Sequence, residues 1–200
     1  VTGLAPGRGC FDCLRARVGS NASETDDGAV DAPTARLAGA VGGREAVSAV
    51  EGDDGRTTGD LVGRIHELPH EDRRFLPVPG CCGTTDDELR RDHAAVSLDE
   101  AVERAERTLD GRVGLVSDIG ELESFPAPYY LATTAETSVY SDASAPGQAA
   151  GVADDWNAAF MKAVGEALER YSAAIYRNSA FEQAPPGMVG SGVSPDAVVR

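Results

Sequence analysis

The chain has almost no lysine: Lys162 is the only one in 200 residues, and 18 basic residues face 33 acidic ones, for a formal net charge of −15. Binding a phosphate backbone needs a basic footprint, so sequence-independent nucleic-acid binding is excluded as a function class. Long hydrophobic runs are missing as well. No segment has the roughly 20 apolar residues of a membrane-spanning helix, and no secretory leader is visible. A cytoplasmic protein is expected, with no membrane or nucleic-acid partner. Neither a P-loop nor a G-x-G-x-x-G is present. One protease-like motif, His66-Glu-Leu-Pro-His70, is broken. A zinc protease needs both histidines on one face of a continuous helix, and here Pro69 interrupts residues that alternate as a strand. His66 and His70 read instead as surface residues at a strand end. Asn21-Ala-Ser23 has the letters of a glycosylation sequon but no secretory signal beside it.

Cysteine is scarce, and what there is comes in two pairs. Cys10-Phe-Asp-Cys13 has the spacing of a zinc knuckle, and Cys81-Cys82 follows a Pro-Gly turn. Four thiols in two pairs near Gly and Pro suggest a tetrathiolate zinc site of Cys10, Cys13, Cys81 and Cys82. Adjacent cysteines are an unusual second pair, since a C-x-C or C-x-x-C points two sulfurs at one ion more easily. A disulfide and four incidental thiols are the alternatives, the disulfide being disfavoured in a reducing compartment. A structural zinc would contribute folding free energy on the order of 10 kcal/mol.

The most patterned stretch runs from Gly151 to Tyr171. Read as a helix at about 100° per residue, it sets Trp156, Phe160, Ala163, Val164, Ala167, Leu168, Tyr171 and Ile175 on one face. Asp155, Lys162, Glu166, Glu169, Arg170 and Arg177 take the other. Two carboxylates one turn apart beside a guanidinium can hold a hard cation and the phosphate oxygens it bridges. The same letters also describe a solvated face whose Glu166–Arg170 pair contributes a few tenths of a kcal/mol.

Elsewhere the pattern predicts mixed elements. Ser97-Leu-Asp-Glu100 reads as a capping box opening a helix to about Leu109, with Leu98, Ala101, Val102, Ala105 and Leu109 in one stripe and Asp110-Gly111 as its stop. Arg112–Gly120 and Tyr129–Thr134 read as strands separated by Phe125-Pro-Ala-Pro128, and Ser141–Gln148 as a turn. Asp31-Ala-Pro33 starts a helix whose apolar side is Leu37, Ala38, Val41 and Val47. Asp60–Leu68 alternates like a half-buried strand. Gly19–Asp31 and Gly83–Val96 are loop-like in composition.

Gly165-Glu-Ala-Leu-Glu-Arg-Tyr-Ser172 resembles the first nucleotide-binding helix of the YcaO family, whose pattern is roughly G-K-G, about nine residues, then S-A-x-x-E-x-x-E-R. YcaO proteins use ATP to phosphorylate the oxygen of a peptide amide. A Cys, Ser or Thr side chain, or external sulfide, then adds to give azolines or thioamides. The resemblance covers about 97–178. It implies ATP and Mg²⁺ as cofactors, Glu166 and Glu169 as magnesium ligands, and Arg170 beside the nucleotide phosphates. The sequence departs from the pattern where the Lys of G-K-G falls at Val152, its second Gly at Ala153, and the Ser at Lys162. Lys162 either pairs with Glu166, one turn on, or restores the missing charge.

Pro6-Gly-Arg-Gly-Cys-Phe-Asp-Cys-Leu-Arg-Ala-Arg17 is similar to the P-x-C-x-x-C-L-x-x-R segment of ThiF-like domains, which precede YcaO domains in peptide-modifying proteins and bind the leader of the precursor peptide. Together these readings give an α+β fragment spanning two incomplete domains, with helices packed on small mixed sheets. Residues 1–85 would be the zinc-stapled tail of a ThiF-like domain, 86–96 a linker, and 97–200 the opening of a YcaO domain. The start at Val1 and the Pro/Gly-rich end from Ala184 suggest a piece of a longer polypeptide. Candidate partners are a precursor peptide or protein substrate, a TfuA-like or ThiF-like protein, and a second copy of the chain. The alternative function is a non-catalytic accessory or peptide-binding scaffold with a degraded nucleotide site. The acidic, lysine-poor composition also resembles the proteomes of salt-loving archaea, although acidic mesophilic cytosolic proteins are common.

Overall fold

A computed structural model describes residues 1–4, 9–21, 30–51, 63–68, 71–82 and 95–182, with scattered positions between 184 and 197. Most of the expected linker, much of the 19–31 loop, the start of the expected 60–68 strand, and Pro69 and His70 lie outside the described residues. Within them the protein is an α+β chain with a two-stranded and a three-stranded antiparallel sheet.

Helix α1, Phe11–Ser20, starts at Cys10, whose extended backbone and sulfur make it the N-cap. Asn21 closes the other end, its side-chain amide donating to the carbonyls of Arg17 (2.9 Å) and Gly114 (3.1 Å). The sequon asparagine is therefore a helix-end residue. Helix α2, Ala32–Glu51, is capped by Asp31, whose carboxylate accepts from the Thr34 N–H at 2.7 Å. Its expected apolar side is not buried: Leu37 and Val47 stay exposed, and no other described helix or strand packs on α2. Strands β1, Arg64–Glu67, and β2, Glu71–Arg74, pair in antiparallel register with Ile65 opposite Arg73. Arg73 then binds Glu67 (2.7 Å), Glu71 and Asp110 (2.9 Å), fixing this ribbon to the turn beyond the next helix.

Helix α3, Leu98–Glu106, keeps only half of its predicted capping box. The Ser97 hydroxyl accepts from the Glu100 N–H at 3.2 Å, but the Glu100 carboxylate goes forward to Arg104 rather than back. The helix stops at Glu106, short of Leu109. Asp110 winds the chain into a turn, its carboxylate accepting from the N–H groups of Arg112 (2.8 Å) and Val113 (3.0 Å). That turn delays strand β3, which spans Val116–Glu123 rather than Arg112–Gly120. Strand β4, Tyr129–Thr134, falls where the pattern placed it. The chain bends at 141–143 within the expected turn, and strand β5, Gln148–Val152, takes over the last residue of that turn and the expected start of the helix. Its buried positions are Ala149 and Gly151, too small to show as an alternating apolar strand. The order is β3-β4-β5, all antiparallel.

Helix α4, Trp156–Ala173, lies across this sheet. Asp155, assigned by pattern to the solvent face, is its N-cap and accepts from the Ala158 N–H at 2.9 Å. The contact layer is made of small residues: Val116, Ala132, Ala149, Ala163 and Ala167. Gly151 brings the two layers close. A Cβ there would sit 2.2 Å from the Ala159 carbonyl oxygen and 2.3 Å from the Ala163 nitrogen, so only glycine fits. Ala159 is fully buried at this contact although it was not on the predicted stripe, whereas Trp156 is at the helix start and 46% exposed. Trp156 and Phe160 meet the Tyr130 ring edge-on at 6.5 and 5.9 Å. A second core cluster of Cys13, Phe75, Val78, Val113, Tyr140 and Tyr171 joins α1 and the 75–78 segment to residues beyond α3.

Candidate functional site

The four cysteines converge. Their sulfurs all lie within 4.8 Å of one another, with Cys10–Cys13 at 3.7 Å, Cys10–Cys81 at 3.5 Å and Cys13–Cys82 at 3.7 Å. A zinc ion with bonds of about 2.3 Å to four sulfurs spaces them by about 3.8 Å, whereas a disulfide needs about 2.05 Å. The cluster therefore has the size of a tetrathiolate cage and is not disulfide-bonded. Local backbone explains how adjacent cysteines manage this. Gly80 has φ 74° and Cys82 has φ 44°, a rare conformation for a non-glycine residue, and this folds the 79–82 turn so that both sulfurs face inward. Backbone N–H groups aim at the sulfurs as they do in zinc knuckles: Cys13 N–H to Cys10 Sγ at 3.5 Å and Val78 N–H to Cys13 Sγ at 3.3 Å. The Cys13 N–H, then the Cys81 thiol, bring the Cys10 thiol from 9.0 down to about 7. The Cys81 thiol, hydrogen-bonded to the Cys13 and Cys10 sulfurs, is pushed up to about 12. Without an ion, Cys10 gives up its proton more readily than Cys81. An ion would favour the thiolate at all four positions.

Next to the cage sits Arg17, the last residue of the P-x-C-x-x-C-L-x-x-R resemblance, to which the sequence gave no site role. Arg17 is 1% exposed. Its Nε donates to the Leu76 carbonyl (2.9 Å) and Nη2 to the Pro77 carbonyl (2.9 Å). Nη1 donates to the hydroxyls of Tyr140 (3.1 Å) and Tyr171 (2.5 Å), which contact each other at 2.8 Å. The guanidinium carbon lies 5.4 and 5.6 Å from the two ring centroids. Burial, then the Tyr171 hydrogen bond, raise the Tyr140 phenol well above its ordinary value despite the nearby guanidinium. Among the described residues no carboxylate pairs with Arg17, so a buried cation is held by four neutral oxygens and two ring faces. One signal was available: Arg17 follows Cys13 by one helical turn and shares its face.

The predicted nucleotide residues are arranged differently. Lys162, Glu166 and Arg170 form an i, i+4, i+8 row on α4 that runs along the outer edge of β5. Lys162 Nζ donates to the Val152 carbonyl at 2.9 Å, not to Glu166. Arg170 donates to the Gln148 carbonyl at 2.7 Å and to Glu166. Gly147 and Ala153 bond to the β4 side, so by alternation the Gln148 and Val152 carbonyls point away from it. The two cations thus cap an edge strand. Glu169 is exposed, and among the described residues it has no ion-pair partner. His66 lies on β1 with its ring against Asp72, and a strand cannot carry the helical protease motif.

No family model matches the sequence, and no curated protein does. The fold, however, is similar to that of a solved heterocyclase in complex with substrate and cofactor. The TM-score is 0.53 at 16% identity, over 82% of this chain. The chain spans 28% of that heterocyclase's length. The shared feature is the fold. No described helix is long and apolar enough to cross a membrane.

Proposed function

We propose that the chain is part of a YcaO-like cyclodehydratase, an ATP- and magnesium-dependent enzyme that activates backbone amides of a peptide or protein substrate for azoline or thioamide formation. In this reading residues 1–85 belong to a ThiF-like, peptide-binding domain stapled by zinc at Cys10, Cys13, Cys81 and Cys82. Residues 97–200 open the YcaO domain. The observation that carries the reading is the heterocyclase-like fold combined with the position of α4. Its Glu166 and Glu169 follow a strand–turn whose Gly151 matches the first glycine of the G-K-G pattern.

Magnesium would supply charge neutralisation at the phosphates. Glu166 and Glu169 would hold it, and Arg170 would approach the phosphates from the same face. Lys162 supports the reading in a way its sequence position did not, because its ammonium is hydrogen-bonded to the backbone of Val152, the position where the pattern has lysine. In this reading Lys162 would stand in for the charge missing at 152. The amide oxygen takes the γ-phosphoryl group, and positioning plus electrostatics supply most of the acceleration. Glu166→Gln in the intact protein is expected to abolish ATP turnover while leaving the melting curve near wild type. Turnover that survives the change removes Glu166 from the site.

A second reading has its own observation. Lys162, Glu166 and Arg170 all have partners inside the chain, as edge-capping residues would. A non-catalytic accessory protein would look like this. Calorimetric titration of the intact protein with ATP and Mg²⁺ separates the two: no binding heat favours the accessory role.

A further inference from the structure

We propose that Arg17 is a positioning residue that couples metal occupancy of the four-thiol cage to the packing of α4, so that filling the cage and ordering the last turns of that helix stabilise each other. The proposal rests on the metal reading of the thiols but not on any nucleotide chemistry.

Arg17 touches every piece that must move together. It stands one turn after Cys13 on α1, and α1 itself starts at the cage residue Cys10. Two of its N–H groups hold the Leu76 and Pro77 carbonyls (both 2.9 Å). That segment continues through Val78, whose N–H reaches the Cys13 sulfur at 3.3 Å, to Cys81 and Cys82. A third nitrogen holds Tyr171, in the last turn of α4, at 2.5 Å, and Tyr140 at 3.1 Å. Ser141, next to Tyr140, accepts from the Tyr176 N–H (3.0 Å) and donates to the Ala174 carbonyl (2.6 Å), closing the loop onto the helix end.

The physical argument is about a rigid fork. A guanidinium presents its donors in a fixed plane, so holding two carbonyls on one side sets where the other side can reach. Its charge is buried, with neutral acceptors as its only described solvation, and a lost acceptor cannot be replaced by water at 1% exposure. An ion at the thiols locks α1 against 75–82 and presets the fork for the phenols. An empty cage frees both arms, and the phenols lose their donor. Coupling of this kind is reciprocal. Weakening the phenol side must therefore lower metal affinity, although the phenols are not metal ligands.

The test uses the intact protein loaded with zinc. Zinc affinity is measured by competition with a chromophoric chelator, for wild type, Tyr171→Phe and Asp155→Ala. Asp155→Ala weakens α4 at its other end, far from Arg17. Amide hydrogen exchange of residues 164–174 is followed with and without zinc. The expected result is one zinc per chain, about a fivefold or larger loss of zinc affinity in Tyr171→Phe with no change in Asp155→Ala, and at least tenfold faster exchange in 164–174 after zinc removal. Should metal removal unfold the whole chain, the affinities of the loaded variants still decide. Tight zinc binding with equal affinity in wild type and Tyr171→Phe overturns the coupling and leaves the metal reading intact. No zinc binding at all overturns both.

Discussion

At the thiol junction Arg17 is 1% exposed and, among the described residues, meets only neutral oxygens and ring faces, whereas on α4 the Glu166 and Arg170 side chains keep 37% and 40% of their surface and meet each other. Both places concentrate charge. The buried cation fixes three segments of chain by exact hydrogen-bond satisfaction, and each lost bond there leaves a polar group stranded from water. The exposed row organises nothing that solvent could not replace, since such pairs contribute about 0.3–0.5 kcal/mol. The first region is therefore where the fold is sensitive. The second is where residues can be changed at little cost in stability.

The strongest way to break this contrast is to remove a cage ligand. Cys13 is fully buried at the centre of its cluster, and its sulfur also accepts the Val78 N–H. Cys13→Ser is expected to abolish zinc binding and to forfeit a large part of the roughly 10 kcal/mol that a structural zinc contributes. Elemental analysis and a thermal melt check it. A serine variant that melts with wild type would mean the cage is not a staple.

Next in size is Gly151→Ala, which tests whether the exposed row stands on a rigid base. The added methyl would lie 2.2 Å from a backbone oxygen and 2.3 Å from a backbone nitrogen of α4, and neither can move without shifting the helix. A loss of about 2–3 kcal/mol is expected from overpacking, read by denaturant unfolding. In contrast, Glu166→Gln on the surface above it is expected to cost no more than about 0.5 kcal/mol. Equal costs would erase the distinction between the two regions.

How much of this was legible from the sequence follows from size and distance. The Tyr129–Thr134 strand and the Ser97 cap were readable because their residues carry local signals. The thiol cluster was readable as a set. Its adjacent pair looked awkward because nothing in the letters reveals that Cys82 takes a positive φ. Strand β5 was hidden because its buried face is Ala149 and Gly151, which carry almost no hydrophobic signal. Arg17 was legible as the last residue of the P-x-C-x-x-C-L-x-x-R resemblance but not as a buried cation. Its partners Tyr140 and Tyr171 lie 123 and 154 residues away, and burial of a cation is a tertiary event with no local pattern. Lys162 was placed on the right face, but its bond to the Val152 carbonyl, in place of a pairing with Glu166, depended on where β5 lay.

The smallest expected effect concerns a third carboxylate, and it sharpens what sets the two regions apart. Glu136 is more exposed than Glu166, yet its carboxylate is held by fixed donors: the Ser138 N–H at 2.9 Å and the Ser144 hydroxyl at 2.8 Å. Its own N–H donates to the Ser20 carbonyl at 2.8 Å, at the end of α1. The Ser138 N–H, then the Ser144 hydroxyl, hold its carboxyl below the ordinary 4.5. A group depressed on folding binds its proton less readily in the native state, so the unfolded chain takes up protons first as pH falls. Its stabilisation is therefore complete above the unfolded value and disappears as pH drops through the folded one. Glu136→Gln should be slightly less stable than wild type at pH 7, with the difference closing below about pH 4. Paired denaturant melts at neutral and acidic pH measure it. A difference that stays constant between the two would place the stabilisation in packing of the side chain, and the charge held by those two donors would then count for nothing.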